Sequence, residues 1–253
     1  MTLRLFKKIF LLVIPPFLTK IFCKVLLKQA NHSVIAKNLD SSKIDVSVIN
    51  YLDRNDIFFI DIHKIRLLGG IPLNSEENHF LGYYNKGEDF LKDFYNKFQP
   101  KDILSLHRLD QSSSSTSFHL PWLHESTYKG EHGLNASHGH QAYGPISNKK
   151  LLLEKKRLDK VLFSINKHGF INYPNDSIKG HFLISGDDWR FLVTGGKHRA
   201  AALAFLNWEV IPVSFDLMLP STINVNEINC WPQISKKKIS KNDGLRIFKK
   251  YFT

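Results

Sequence analysis

The stretch from residue 189 to residue 215 constrains the fold of this chain more than any other. It runs from an apolar segment through Gly195 and Gly196 into an Ala-rich segment, and it ends in a second apolar run. Glycine adopts backbone angles that other residues avoid, and alanine is the best helix former. The order of these segments therefore predicts a strand, a glycine corner, a helix that starts near Lys197, and a second strand.

The predicted corner is a candidate anion site. The first N–H groups of a helix, together with its dipole, favour negative charge and commonly bind phosphate. Lys197, His198 and Arg199 crowd this helix end, where cations are unfavourable unless a bound anion offsets them. The alternative is a tight turn at the two glycines, with Lys197 and Arg199 solvated and His198 packed on the sheet.

The same stretch resembles the ParB/sulfiredoxin-like fold family, including its ParB N-terminal-like domain. The matching positions of the corner and the closing strand are Gly196, His198, Arg199, Ala202, Ile211, Pro212 and Val213. An upstream segment also resembles the family's helix that ends in a glycine, through Glu154, Arg157, Leu158, Val161, Ile165 and His168-Gly169-Phe170. The resemblance covers roughly residues 138–217.

The resemblance implies phosphate chemistry rather than redox repair. Sulfiredoxins carry their catalytic cysteine at the position of Lys197, and the only cysteines here are Cys23 and Cys230, far from the corner in sequence. What remains is the phosphate-binding part, shared with nucleotide-binding ParB domains and with free-serine kinases of this fold. The resemblance therefore implies a nucleotide ligand (ATP, ADP or CTP), with Mg²⁺ as an accompanying ion.

We expect an α/β (α+β) fold with a small mixed sheet, flanking helices and an N-terminal elaboration. The expected segments are a basic amphipathic helix (1–29), the elaboration with a His-rich loop (30–137), the ParB/sulfiredoxin-like domain (138–217) and a basic tail with a helix (218–253). Local patterns add a strand at 57–60, helices at 87–99 and 242–251, and a hairpin turn at Ser185-Gly186-Asp187-Asp188.

The candidate site residues follow from these expectations. Gly195, Gly196, Lys197, His198 and Arg199 are predicted to bind phosphate. Phosphoryl transfer needs an acid or base beside the acceptor hydroxyl, and Glu154 and His198 are the candidate catalytic residues.

Residues 119–147 form a polar segment that is rich in histidine. Neutral imidazoles suit zinc or iron, but no spacing here matches a strong metal motif, so no metal ligand is predicted. A long loop is often a lid or a binding loop. His138, His140 and Gln141 are therefore predicted to contact the substrate, with a plain surface loop as the alternative.

The net charge of +12 is concentrated at the two ends of the chain. Residues 1–39 hold seven Lys or Arg and no acid, and residues 233–253 hold seven against one acid. Residues 40–232 carry 21 basic and 22 acidic side chains, a net charge of −1. A broad DNA-binding face on the body is therefore not expected, and the charge distribution disfavours nucleic acid as a partner.

The N-terminal segment is apolar and basic. Leu18, Ile21, Phe22 and Val25 recur at helical spacing, while Lys20, Lys24 and Lys28 lie on another face. Such a helix suits an anionic membrane surface; a signal peptide and a helix docked on the protein's own core are the alternatives. With two distant cysteines and no disulfide framework, the expected location is the cytoplasm, peripherally at the inner face of the membrane.

Three functions follow as expectations. The first is a nucleotide-dependent phosphotransferase that acts on a small molecule or a glycan at the membrane surface. The second is a nucleotide-binding switch or scaffold without catalysis. The third, disfavoured by the charge distribution, is a DNA-associated ParB-like regulator.

Overall fold

The computed structural model describes residues 46–49, 52–54, 57–110, 118–170 and 177–253. These ranges form a mixed α/β structure around a seven-stranded sheet. The strands of this sheet are β1 (Ile57–Asp61), β2 (Ile65–Leu67), β3 (Ile71–Pro72), β6 (Lys179–Ser185), β7 (Asp188–Gly195), β8 (Val210–Phe215) and β9 (Thr222–Asn224). Two short strands, β4 (Gly130–Glu131) and β5 (Leu134–Asn135), pair with each other in a separate hairpin.

The α-helices lie before, between and after these strands. They are α1 (Val46–Ile49), α2 (His79–Lys86), α3 (Glu88–Lys97), α4 (Ile103–Leu106), α5 (Asn148–His168), α6 (Lys197–Phe205), α7 (Pro232–Ser235) and α8 (Lys241–Lys249). The expected mixed sheet with flanking helices is thus confirmed.

The sheet has the order β1-β8-β6-β7-β2-β3, and β9 pairs with β6 beyond the end of β8. The pairs β1/β8, β6/β7 and β2/β3 are antiparallel, whereas β6/β8, β2/β7 and β6/β9 are parallel. Strand β6 is therefore the centre of the sheet, and the corner that follows β7 lies beside it.

Both faces of the central strands are buried, as their alternating residues show. Phe182 and Ile184 of β6 join a core that includes Ala202 of α6, whereas Leu183 joins a second core with Phe248 of α8. Successive strand residues point to opposite faces. The helices therefore cover the sheet on two sides, with α5 and α6 on one and α8 on the other.

A third, smaller cluster joins the N-terminal helices to α5 and α6. It contains Phe80 of α2, Tyr95 of α3, Leu158 of α5 and Ala201 of α6, all nearly inaccessible to solvent. This packing brings the start of α2 against the start of α6. It is the contact that completes the candidate site.

The sequence-based predictions of local structure are confirmed. Residues 57–60 lie in β1, residues 88–97 form α3, and the expected C-terminal helix is α8. The β6–β7 hairpin turns at Gly186-Asp187, and Asp188 opens β7, where it pairs with Lys64 and Arg190.

The expected segment 1–29 lies outside the described residues. The other expected boundaries stay predictions, because one sheet takes strands from all three remaining segments: β1 to β3 from 30–137, β6 to β8 from 138–217 and β9 from 218–253. Among the described helices, none combines the length and the apolarity needed to cross a membrane.

Candidate functional site

The glycine corner forms as the sequence predicts. Gly195 ends β7, and Gly196 caps α6 in the left-handed region with φ 75° and ψ 22°. A Cβ atom at residue 196 would lie 2.9 Å from the Cα of Ile178 and 2.9 Å from the carbonyl oxygen of Ser177. Both the backbone angle and the close approach therefore require glycine here.

The start of α6 has backbone N–H groups suited to an anion. The first intrahelical bond runs from the Ala200 N–H to the Gly196 carbonyl, so the N–H groups of the three preceding residues have no partner within the helix. The N-cap residue Gly196 has no side chain that could cap this end by a hydrogen bond. Backbone donors and the helix dipole thus favour negative charge at Lys197, His198 and Arg199.

Helix α5 presents three ionisable side chains to this corner. Lys150, Glu154 and Arg157 are spaced by four and three residues, which places them on one face of a helix. Glu154 is fully buried: its Oε2 accepts a hydrogen bond from His198 Nε2 at 2.6 Å, and its Oε1 lies 3.0 Å from Lys150 Nζ and 3.3 Å from Arg157 Nη1. A carboxylate on α5 therefore fixes the imidazole of α6.

A second carboxylate enters from the His-rich segment. Glu131, at the end of β4, contacts Lys150 Nζ through Oε1 and receives a hydrogen bond from Arg157 Nη1 at 3.0 Å through Oε2. Its side chain is only 16% exposed. The His-rich segment therefore contacts α5 beside the corner and completes the ion-pair network (Glu131, Lys150, Glu154, Arg157 and His198).

The network determines the protonation of its members. Burial alone would raise the pKa of Glu154, but the hydrogen bond from His198 and the charges of Lys150 and Arg157 outweigh it and lower the pKa to about 2. Burial lowers the pKa of His198 below its ordinary value, against the pull of Glu154. At neutral pH the pair is a carboxylate that accepts the Nε2 proton of a neutral imidazole, which leaves the lone pair on Nδ1.

Lys197 is a cation of the corner that lies outside this ion-pair network. Among the described residues, none forms a hydrogen bond or an ion pair with its ammonium group. Burial lowers the pKa of Lys197, and Arg157 lowers it further, while Glu131 and Glu154 oppose the change. Glu131 and Glu154 attract the charge of Lys197, but both carboxylates already pair with Lys150 and Arg157.

The loop residues named from the sequence have different environments. Burial and the charge of Lys197 lower the pKa of His140 to about 4, and its ring stacks on Tyr143 with centroids 4.7 Å apart. His138 Nδ1 lies 2.8 Å from Ser147 Oγ at the start of α5. The backbone oxygen of Gln141 accepts hydrogen bonds from His79 Nε2 and the Tyr95 hydroxyl. His140 is thus beside the site, and the other two anchor the loop.

Sequence reasoning missed several members of this site. Lys150 carried a signal in its spacing from Glu154 and Arg157, but Glu131 and His79 carried none. His79, on α2, stacks against Phe94 and lies near His198, with Phe80 touching both rings. These residues come from parts of the chain that only tertiary packing brings to the corner.

The described residues contain no group of three or more His, Cys, Asp or Glu side chains arranged to hold a metal ion. Comparisons with protein-family models, with curated proteins and with solved structures find no match to this chain. The candidate site is therefore interpreted from its own geometry.

Proposed function

We propose that this protein binds a nucleotide at the Gly195–Arg199 corner and transfers a phosphoryl group from it to a hydroxyl acceptor. The observation that carries the proposal is the start of α6, where Gly196 provides no side-chain cap, Glu154 holds His198, and Lys197 forms no ion pair among the described residues. A phosphate group would accept hydrogen bonds from the first N–H groups of α6 and bring negative charge to Lys197 and Arg199.

Each named residue has a role in this proposal. Gly195 and Gly196 let the phosphate approach the main chain, while Lys197 and Arg199 contribute positive charge. Glu154 orients the His198 ring, and the lone pair on His198 Nδ1 accepts the proton of the acceptor hydroxyl. Because its pKa is lowered to about 2, Glu154 is itself a weak base, and we assign it the orienting role.

Mg²⁺ would arrive with the nucleotide and neutralise charge on the phosphoryl oxygens. The resemblance to the ParB/sulfiredoxin-like fold, and to its kinases in particular, supports the nucleotide class (ATP, ADP or CTP). The acceptor class is a small molecule or a glycan. A location at the cytoplasmic face of a membrane rests on the basic N-terminal segment alone.

A non-catalytic nucleotide-binding switch is the second candidate. The ion pairs from Glu131 to Lys150 and Arg157 favour it, because they connect the His-rich segment to α5 beside the corner that would bind the phosphates. A ligand that competes for these cations would release the loop. A DNA-associated regulator is the third and weakest proposal, because the charge distribution disfavours it.

A thermal-shift and calorimetric screen of ATP, ADP and CTP, each with and without Mg²⁺, tests binding. A ligand at about 100 times its Kd would add about 2.7 kcal/mol of stability, a shift of about 5 °C or more for a chain of this size. Lys197→Ala and Arg199→Ala should each weaken binding about tenfold or more. Lys241→Ala, at an exposed position remote in sequence from the corner, is the matched control.

Absence of binding by every nucleotide contradicts both the phosphotransferase and the switch. If a nucleotide binds, turnover with hydroxyl acceptors separates the two. In that case His198→Asn should abolish turnover and retain most of the affinity, whereas a switch would show no turnover in either protein. Salt-dependent binding to duplex DNA would favour the regulator instead.

A further inference from the structure

Helix α5 exposes apolar side chains on the side away from the candidate site. Of the five large hydrophobic side chains that are exposed among the described residues, two lie on this helix: Leu152 is 59% exposed and Phe163 is 65% exposed. At 3.6 residues per turn they lie within about 20° of each other around the helix, and about 16 Å apart along it. The two side chains therefore form one apolar ridge on the outer face of α5.

A row of lysines runs beside this ridge. Within about 80° of Leu152 around the helix lie four exposed lysines: Lys149, Lys156, Lys160 and Lys167. The Nζ atom of Lys167 lies 5.5 Å from the centroid of the Phe163 ring, so the row and the ridge are in contact. We call the two apolar residues and the four lysines together the α5 face.

The α5 face keeps a positive charge when every charged residue of the helix is counted. Helix α5 holds seven basic and two acidic residues. Three of the basic residues pair with carboxylates: Lys150 and Arg157 with Glu131 and Glu154, and Lys155 with Glu88. The second acid of the helix, Asp159, is exposed and accepts a hydrogen bond from the Tyr83 hydroxyl at 2.8 Å. Four lysines against this one aspartate leave a net charge of +3, and among the described residues none forms an ion pair with these lysines.

An anionic bilayer is complementary to this combination of side chains. Leu and Phe on a helix surface enter the boundary between headgroups and acyl chains, while the flexible lysines beside them reach the lipid phosphates. We propose that the α5 face lies flat on the surface of an anionic membrane. A nucleic acid would neutralise the lysines but would offer the aliphatic side chain of Leu152 no apolar surface in return.

The composition of the N-terminal segment supports the same partner. Residues 1–39 hold seven basic residues and no acid, with apolar residues at helical spacing. Stable peripheral binding commonly needs two such contacts, and the α5 face supplies the second. This inference extends the membrane location within the proposed function, and it is independent of nucleotide binding and of phosphoryl transfer.

Contact through the α5 face leaves the candidate site unchanged. Glu154 lies about 160° around the helix from Leu152, and it is fully buried where it holds His198. Substitutions on the α5 face should therefore leave nucleotide binding as it is in the wild type. The two proposals can be tested separately for this reason.

Co-sedimentation of the full chain with vesicles tests the α5 face. The vesicles contain about 30% phosphatidylserine in phosphatidylcholine, pure phosphatidylcholine is the reference, and each is used at low and high salt. Leu152→Ser combined with Phe163→Ser should weaken binding to the anionic vesicles at least about tenfold, because apolar burial is lost. Each lysine at such a surface contributes about a fivefold gain, so Lys156→Gln combined with Lys160→Gln should weaken binding about 25-fold.

Matched variants outside α5 are the controls. Leu217→Ser with Met218→Ser replaces two other exposed apolar side chains, and Lys237→Gln with Lys241→Gln removes two other exposed lysines. Both should bind the vesicles within about twofold of the wild type. Circular dichroism confirms that all four variants are folded.

Unchanged binding of both α5 variants overturns the proposal and leaves the N-terminal segment as the membrane contact. An equal loss in the two lysine variants also overturns it, because the vesicles would then respond to total charge alone. Binding to duplex DNA that is tighter than binding to vesicles, and is lost with Lys156 and Lys160, would assign the face to nucleic acid instead.

The failure of this inference is distinguishable from the failure of the proposed function. A wild type that binds nucleotide and neither kind of vesicle overturns the membrane contact and leaves the nucleotide site standing. A wild type that binds anionic vesicles through the α5 face and no nucleotide gives the reverse result.

Discussion

Three buried histidines are expected to make this protein less stable as the pH falls from 7 to 5. His79, His107 and His181 are 4%, 0% and 0% exposed. Burial lowers the pKa of His79 to about 3 and the pKa of His107 and of His181 to about 4. In the unfolded chain each imidazole has its ordinary pKa near 6.5 and takes up a proton first. The stabilisation is therefore complete above about pH 6.5 and is lost as the pH falls towards 4.

The magnitude follows from the width of this window. A pH of 5 lies about 1.5 pH units below the ordinary histidine value and above all three folded values. At about 1.4 kcal/mol per unit, each histidine then costs about 2 kcal/mol relative to neutral pH. Glu154 does not contribute in this window: its pKa is lowered from 4.5 to about 2, so its stabilisation persists above about pH 4.5 and is lost only below it.

His107 is the most informative of the three. Its Nδ1 donates a hydrogen bond to the Ile103 carbonyl at 2.7 Å, and its Nε2 accepts one from the Tyr251 hydroxyl at 2.9 Å. Protonation of Nε2 would remove the acceptor for that buried hydroxyl. The two partners thus specify the neutral ring, in agreement with the lowered pKa of His107.

Urea unfolding of the wild type and of His107→Gln at pH 7, 6 and 5 measures this effect. The wild type should lose several kcal/mol between pH 7 and pH 5, and the variant should lose about 2 kcal/mol less over the same interval. His124→Gln, at an exposed position, is the control and should follow the wild type. An unfolding free energy that is the same at pH 5 and pH 7, or the same pH dependence in His107→Gln, would refute the reasoning.

Further substitutions test the site. Glu154→Gln should lower the unfolding free energy by about 3 kcal/mol or more, because it leaves buried cations uncompensated. Glu131→Gln should lower it less, because that side chain is 16% exposed. Denaturant unfolding of the two variants measures the difference. Gly196→Ala should destabilise the protein by about 1–3 kcal/mol more than Gly186→Ala, since both have positive φ but only residue 196 faces backbone atoms at 2.9 Å. His140→Ala should weaken the binding of a phosphate ligand severalfold in calorimetry, and unchanged affinity would contradict its placement beside the ligand.

The sequence allowed prediction of those parts of the fold that local interactions determine. The strand, glycine corner and helix around Gly196 follow from backbone freedom and helix propensity, and α5 ends at Gly169 as its pattern predicts. The strand order does not follow in this way. Strand β2 pairs in parallel with β7, although more than 100 residues of chain separate them. Strand β9 pairs with β6 beyond the point where the pairing of β8 with β6 ends. Such pairing depends on the packing of both sheet faces rather than on local propensity.

The candidate site was likewise predictable only where local sequence determines it. The spacing of Lys150, Glu154 and Arg157 on α5 is visible in the sequence, and the helix places all three on one face. Glu131 could not be assigned, because it reaches the network through a loop whose path is fixed by contacts such as His138 with Ser147. A histidine-rich segment looks the same in sequence whether it binds metal, covers a site or lies on the surface.

The structure changes the interpretation of the three basic residues at the corner. In the sequence, Lys197, His198 and Arg199 form one conflict with the helix dipole that a bound anion would relieve. In the structure burial lowers the pKa of His198 against the pull of Glu154, so the neutral His198 ring does not add to this conflict. The charges that remain at the start of α6 are those of Lys197 and Arg199, and a bound anion would offset both. A phosphate ligand at this corner would therefore be held by the first N–H groups of α6 and by two cations rather than three.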